Sequence, residues 1–138
     1  SRAVYGIDDA IERTKRYIDA GAEICFADGI GTREELEKFA KELSGSGAYL
    51  VANMIEGGKT PLIPAKELEQ MGFSLVFWAC SAVYTISKAL YDLFGNLAQD
   101  GTTEKSLDRM IEFSQFNSMI GLDTYKEYER KYKVDRDD

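Results

Sequence analysis

The chain has 138 residues, 17 Lys+Arg against 24 Asp+Glu, and a formal net charge of −7. The acidic balance excludes a broad basic surface and argues against nucleic acid as a partner, while an apolar share of 44% is enough for one ordinary core. Histidine is absent, so chemistry at neutral pH falls to Asp, Glu, Cys, Tyr, Lys or a metal.

From Ile7 to Ile18 the apolar positions Ile7, Ala10, Ile11, Tyr17 and Ile18 make one helical face, and Gly21 is placed as its C-terminal stop. Glu23 to Asp28 reads as a short buried strand. Thr32 to Glu35 is a capping box, with Thr32 as N-cap and Glu35 reaching back to it. The helix it opens points Leu36, Phe39, Ala40 and Leu43 inward and stops at the Gly/Ser cluster Ser44 to Gly47. Ala48 to Ile55 is a near-continuous apolar run, as expected of a parallel strand covered on both faces. After the loop Glu56 to Pro61, Pro64 suits a first helical position, Leu68 and Met71 face inward, and Gly72 ends the helix. Phe73 to Cys80 is the third strand. Ser81 is the expected N-cap of a helix carrying Val83, Ile86, Leu90, Leu93 and Phe94.

Strand starts thus recur about every 25 residues, the spacing of βα units in a parallel sheet. A polar hinge, Gln99 to Thr103, separates residues 1–98 from a long amphipathic tail, 99–138. Its apolar positions run from Leu107 to Tyr132. Lys126 to Asp138 is almost all charge and tyrosine. The tail is either the closing helix of the domain or a helix that docks on another subunit.

Parallel βα units gather the carboxyl ends of their strands on one side, where sites are built. Asp28 falls at that end of the first strand, Asn53 and Glu56 at that of the second, Cys80 and Ser81 at that of the third. A buried polar group without a partner costs about 1–3 kcal/mol, so the placement carries information. Asp28 with Gly29 is either a plain turn or a carboxylate facing a ligand. Asn53, inside an apolar run, favours a ligand contact. Glu56 to Pro61 lacks the spacing of a phosphate loop and reads instead as a mobile loop beside a substrate. Cys25 and Cys80 read as packed small hydrophobes, since no histidine is present to activate them. Trp78 and Tyr84 read as wall residues.

The stretch Ala52 to Pro61, the segments Ala20 to Glu23 and Phe26 to Asp28, and Ser81-Ala82 with Lys88 to Leu90 resemble the isocitrate lyase / phosphoenolpyruvate mutase superfamily. The similarity is greatest to its 2-methylisocitrate lyase and 2,3-dimethylmalate lyase-like branches. It runs over nearly the whole chain, and Asn53 to Pro61 is its most specific part. The resemblance implies the last three βα units of a (β/α)₈ TIM barrel, a protruding and exchanged terminal helix, a homotetramer, and Mg²⁺. It also implies cleavage or formation of a C–C or P–C bond through an enolate of pyruvate or a relative. By the same resemblance Asp28 is catalytic, standing where the family usually has Glu. Asn53, Glu56, Gly57 and Tyr84 are substrate-binding. Tyr84 falls where methylisocitrate lyases carry a substrate-binding Arg, which argues against a tricarboxylate substrate.

No metal ligands are expected in this chain. The Mg²⁺-binding acids would lie ahead of Ser1, in an enzyme of roughly 280 residues. The start at Ser1 rather than Met fits that expectation. No leader or membrane span is expected, and two cysteines fit a reducing, cytoplasmic setting. Three functions follow. The first is a lyase acting on a small 2-hydroxy dicarboxylate. The second is a phosphonomutase or oxaloacetate-processing enzyme of the same superfamily. The third, of another class, is a non-catalytic βα interaction module.

Overall fold

The computed structural model describes residues 2–133. Of the charged tail expected over Lys126–Asp138, positions 134–138 lie outside the described residues, as does Ser1. The chain divides into two compact units, Ser1–Ser87 and Lys88–Asp138.

The first unit opens with a single turn, α1 (Arg2–Tyr5), followed by α2 (Ile7–Asp19). Gly21, at φ +99°, stops α2. Its amide donates to the Ile18 carbonyl and that of Ala22 to Tyr17, the paired bonds of a Schellman ending. Strand β1 (Ile24–Phe26) leads to α3 (Arg33–Glu42). Thr32 caps α3 as expected, its hydroxyl accepting from the Glu35 amide at 3.1 Å. The reverse half of the box is shifted. Glu35 Oε2 accepts from the Gly31 amide at 2.9 Å and from Arg2 Nη2 at 2.6 Å, so the carboxylate is shared between the Thr32 backbone, Gly31 and Arg2.

Strand β2 (Tyr49–Met54), α4 (Ala65–Met71) and β3 (Leu75–Trp78) complete the pattern. Pro64 sits one position earlier than expected, at the N-cap of α4, with its carbonyl accepting from Glu67 and Leu68. Gly72, at φ +112°, closes α4 with the same Schellman pair of bonds. The three strands are parallel in the order β1-β2-β3, with Phe26 paired to Val51 and Val51 to Leu75.

Helices α2, α3 and α4 cover one face of this sheet. Ile11, Leu36, Phe39 and Leu68 pack there against Cys25, Leu50, Ala52 and Met54. The opposite face departs from the expectation of a sheet covered on both sides. Ile24, Phe26, Tyr49, Leu75 and Phe77 are exposed on it, and Asn53 stands in the same row as Tyr49 and Val51 by the alternation of the strand. No helix of this unit supplies the apolar surface that the run at Ala48–Ile55 calls for on that side.

Helix α5 (Ser81–Asp100) runs two residues into the segment expected as a hinge. Within the second unit the chain folds back along the end of α5 as a 3₁₀ helix (Glu104–Arg109). Lys105 pairs with Asp100 at 2.9 Å, the Asn96 amide donates to buried Ser106 at 3.1 Å, and Arg109 approaches Asp92 at 3.7 Å. Two further helices follow, α6 (Phe113–Met119) and α7 (Leu122–Tyr132). The tail is therefore three pieces rather than one helix. Met110 and Glu112 are extended, and Gly121 takes the left-handed conformation at φ +76°. No helix among the described residues is long and apolar enough to cross a membrane.

Candidate functional site

The carboxyl ends of β1 and β2 open onto a cavity of about 290 Å³ in the first unit. Asp28, just past β1, and Asn53, near the end of β2, both line it, together with Ile55, Gly58, Lys59 and Thr60. Asn53 is largely buried, and its Oδ1 is shielded from solvent without a hydrogen-bond partner among the described residues. An amide in that state has an unmet demand for a donor, which a bound hydroxyl or water meets.

The loop after β2 is built by a tight turn. The Gly58 amide donates to the Ile55 carbonyl at 3.0 Å, and Gly57 has φ +71° whereas no non-glycine described residue has positive φ. Those features define a type II turn with Glu56 and Gly57 at its centre. A Cβ at Gly58 would come within 3.0 Å of the Ile55 carbonyl oxygen, so the return path from the turn needs glycine. Further along, the buried Met54 sulfur accepts from the Ile63 amide at 3.4 Å. The segment expected as a mobile loop is tied to the sheet at both ends.

Glu56 points from this turn to the start of α5, where the Ser81 hydroxyl donates to its Oε1. That bond holds the Glu56 carboxyl below its usual value, helped by the residue's own backbone amide and opposed by partial desolvation. Its Oε2 is shielded and without a partner among the described residues. Ser81 is thus the first residue of α5, tethering Glu56, rather than the N-cap expected for it. Its contact spans 25 positions, and only the polar character of both residues hinted at it.

One turn into α5, Tyr84 is half-exposed and hydrogen-bonds with Cys80. That bond, then the charge a Cys80 thiolate would carry, then burial and the nearby Glu56 charge, keep the phenol protonated above its usual range. Tyr84 is therefore a neutral donor at physiological pH. The expected residues form two groups. Asp28 and Asn53 share the cavity, while Glu56 and Tyr84 gather with Ser81 and Cys80. Neither Gly57 nor Tyr84 lines the cavity, and Lys59, which sequence reasoning passed over, does. Cys25, the middle residue of β1, is buried under the helices, which raises its thiol pKa.

As a holder of Mg²⁺ this set falls short. No three Cys, Asp or Glu side chains among the described residues gather as metal ligands, and a hard divalent cation takes about six oxygens. No step of the chemistry is therefore assigned to a metal bound by this chain.

Comparison with known proteins places these features in a family. The family model described as phosphoenolpyruvate phosphomutase matches residues 2–98. The chain is 38% identical over 136 residues to 2,3-dimethylmalate lyase of Eubacterium barkeri, covering 99% of this chain and 46% of that protein. It is 39% identical over 127 residues to the chloroplastic carboxyvinyl-carboxyphosphonate phosphorylmutase of Arabidopsis thaliana, covering 92% and 37% respectively. A crystal structure of 2,3-dimethylmalate lyase superposes with a TM-score of 0.80 at 28% identity, over 95% of this chain and 45% of that one. The chain spans less than half the length of each of these relatives. Its mixed α/β fold, its parallel sheet and its matched residues agree on one conclusion: the chain belongs to the phosphoenolpyruvate mutase / isocitrate lyase family.

Proposed function

We propose that the chain is the C-terminal part of a (β/α)₈ barrel lyase that cleaves a carbon–carbon bond in a small 2-hydroxy dicarboxylate of the 2,3-dimethylmalate or 2-methylisocitrate type. The observation that carries this reading is the cavity lined by both Asp28 and Asn53, whose Oδ1 has no partner among the described residues, at the ends of adjacent parallel strands. The match of the family model to residues 2–98 supports taking 1–98 as barrel and 99–138 as tail. The open apolar face of the sheet supports a barrel interior that further strands enclose.

In the reaction Asp28 takes the proton of the 2-hydroxyl. The carbonyl of a keto acid forms, and the electron pair of the broken bond is held as an enolate on the other fragment until a proton from solvent quenches it. The Asn53 amide donates to the oxygen of that hydroxyl and fixes its direction, its Oδ1 accepting from a bound water, while Glu56 and Gly57 shape the turn behind the site. Tyr84 supplies a neutral phenol at the rim, which suits a smaller substrate better than a tricarboxylate. Mg²⁺, when bound through residues outside this chain, supplies charge neutralisation for the enolate.

Exposed Leu107, Ile111, Phe113 and Met119 in the second unit support homo-oligomer assembly through the terminal helices. The two free cysteines support a cytoplasmic setting. A phosphonomutase reading draws on the plant phosphorylmutase relative. Pyruvate release from a panel of 2-hydroxy dicarboxylates with Mg²⁺ tests the lyase reading against it. Asn53→Ala is expected to lower turnover about 100-fold with an unchanged unfolding midpoint, and unaltered turnover would remove Asn53 from the site.

A further inference from the structure

The cavity beside Asp28 and Asn53 has a cation of its own. Lys59, an exposed residue of the loop, lines it, and none of the ion pairs among the described residues includes its ammonium. The nearest acid in sequence is Glu56, three positions earlier in the same loop. It is engaged elsewhere, because the type II turn carries Glu56 to the start of α5 and Ser81 holds it there. The turn therefore leaves Glu56 on Ser81 and Lys59 among the residues that line the cavity.

The remaining lining is short of positive charge. Asp28 brings a carboxylate, while Asn53 and Thr60 bring neutral polar groups. We propose that Lys59 is the specificity residue of this cavity, receiving a carboxylate of the ligand, with Gly58 and the Ser81–Glu56 bond as the features that keep it available. An ammonium facing an anion in a partly enclosed site forms a charge-assisted hydrogen bond, stronger than a neutral one. A ligand with a carboxylate at that end is selected over the same skeleton ending in an amide. The assignment rests on reading the cavity as the substrate site, and it names which end of the substrate meets which side chain.

Calorimetric titration of the intact protein with malonate and with malonamate, its monoamide, tests it. Lys59→Met is expected to weaken malonate about tenfold, equivalent to about 1.4 kcal/mol. Malonamate should stay within about twofold, and Lys59→Arg should keep most of the preference because its charge remains. Equal weakening of both ligands, or of neither, would overturn the assignment, as would failure of the unmutated protein to prefer malonate. Asn53→Ala separates this from the lyase reading. Unchanged pyruvate release in that variant, beside a malonate defect in Lys59→Met, removes the lyase reading and leaves the carboxylate site standing. The converse pair of results removes Lys59 alone.

Discussion

The two faces of the three-stranded sheet are built from the same strands and differ in almost everything else. On one, Cys25, Leu50, Ala52 and Met54 are at most 5% exposed beneath three helices. On the other, Ile24, Tyr49 and Leu75 are each more than half exposed, and only Val51, paired between Phe26 and Leu75, is buried. The covered face holds the fold. The open face holds Asn53, the one side-chain amide in its strand. Such a division means that stability and chemistry are drawn from alternate residues of β2, so changes to one need not disturb the other.

The contrast is breakable by substitution. Phe39→Ala, under the covered face and fully buried, is expected to cost about 3–5 kcal/mol in urea unfolding. A loss below about 1 kcal/mol would show that α3 is not part of the core. Ile24→Ala, on the open face, should change the stability of the isolated chain by less than about 0.5 kcal/mol. Within the full-length barrel proposed above, the same change is expected to cost about 2–4 kcal/mol, since a barrel interior would bury it. Equal small effects in both settings would contradict the barrel. Thr32→Ala removes the cap of the helix over the covered face, and its expected cost is about 1 kcal/mol, read from the same denaturation curves.

The smallest effect lies at the rim. Ser81→Ala removes the main cause of the low Glu56 pKa, so the carboxyl should titrate closer to its ordinary range in a ¹³C NMR pH series. The sign follows from the native depression. Glu56 contributes stability above its unfolded value and loses it as pH falls through the folded one, so the variant should show a shallower acid limb. A Glu56 titration identical in both proteins would mean that Ser81 does not set it.

The features legible in the sequence were local ones. Thr32 with its acceptor geometry, Gly21 and Gly72 as stops, and Asp28 and Asn53 as polar residues at strand ends all depend on neighbours within a few positions. What escaped was the pairing of distant residues: Arg2 with Glu35, Ser81 with Glu56, and the return of Lys105 and Ser106 onto α5. Charged and hydroxylated side chains have many equivalent partners in a sequence, and only the fold chooses among them. The tail misled for a different reason. Its apolar periodicity continues past the extended residues Met110 and Glu112 and through Gly121, so the hydrophobic signal hides breaks that the backbone makes. Lys59 is not legible in the sequence, because Glu56 to Pro61 fails the spacing of a phosphate loop and nothing local shows which of its residues the turn leaves beside the cavity.

The sequential order of the strands has a kinetic consequence. Ile24 meets Tyr49, 25 positions on, and Val51 meets Leu75, 24 positions on. Each pairing closes a loop of nearly the same modest length, and lengthening such a loop twofold adds only about 0.6 kcal/mol of entropy cost. Among the described residues, neither pairing waits for a distant partner. The sheet is therefore able to form stepwise as the chain leaves the ribosome, β2 docking on β1 before β3 has been synthesised, with α3 already in place to shield the first pair.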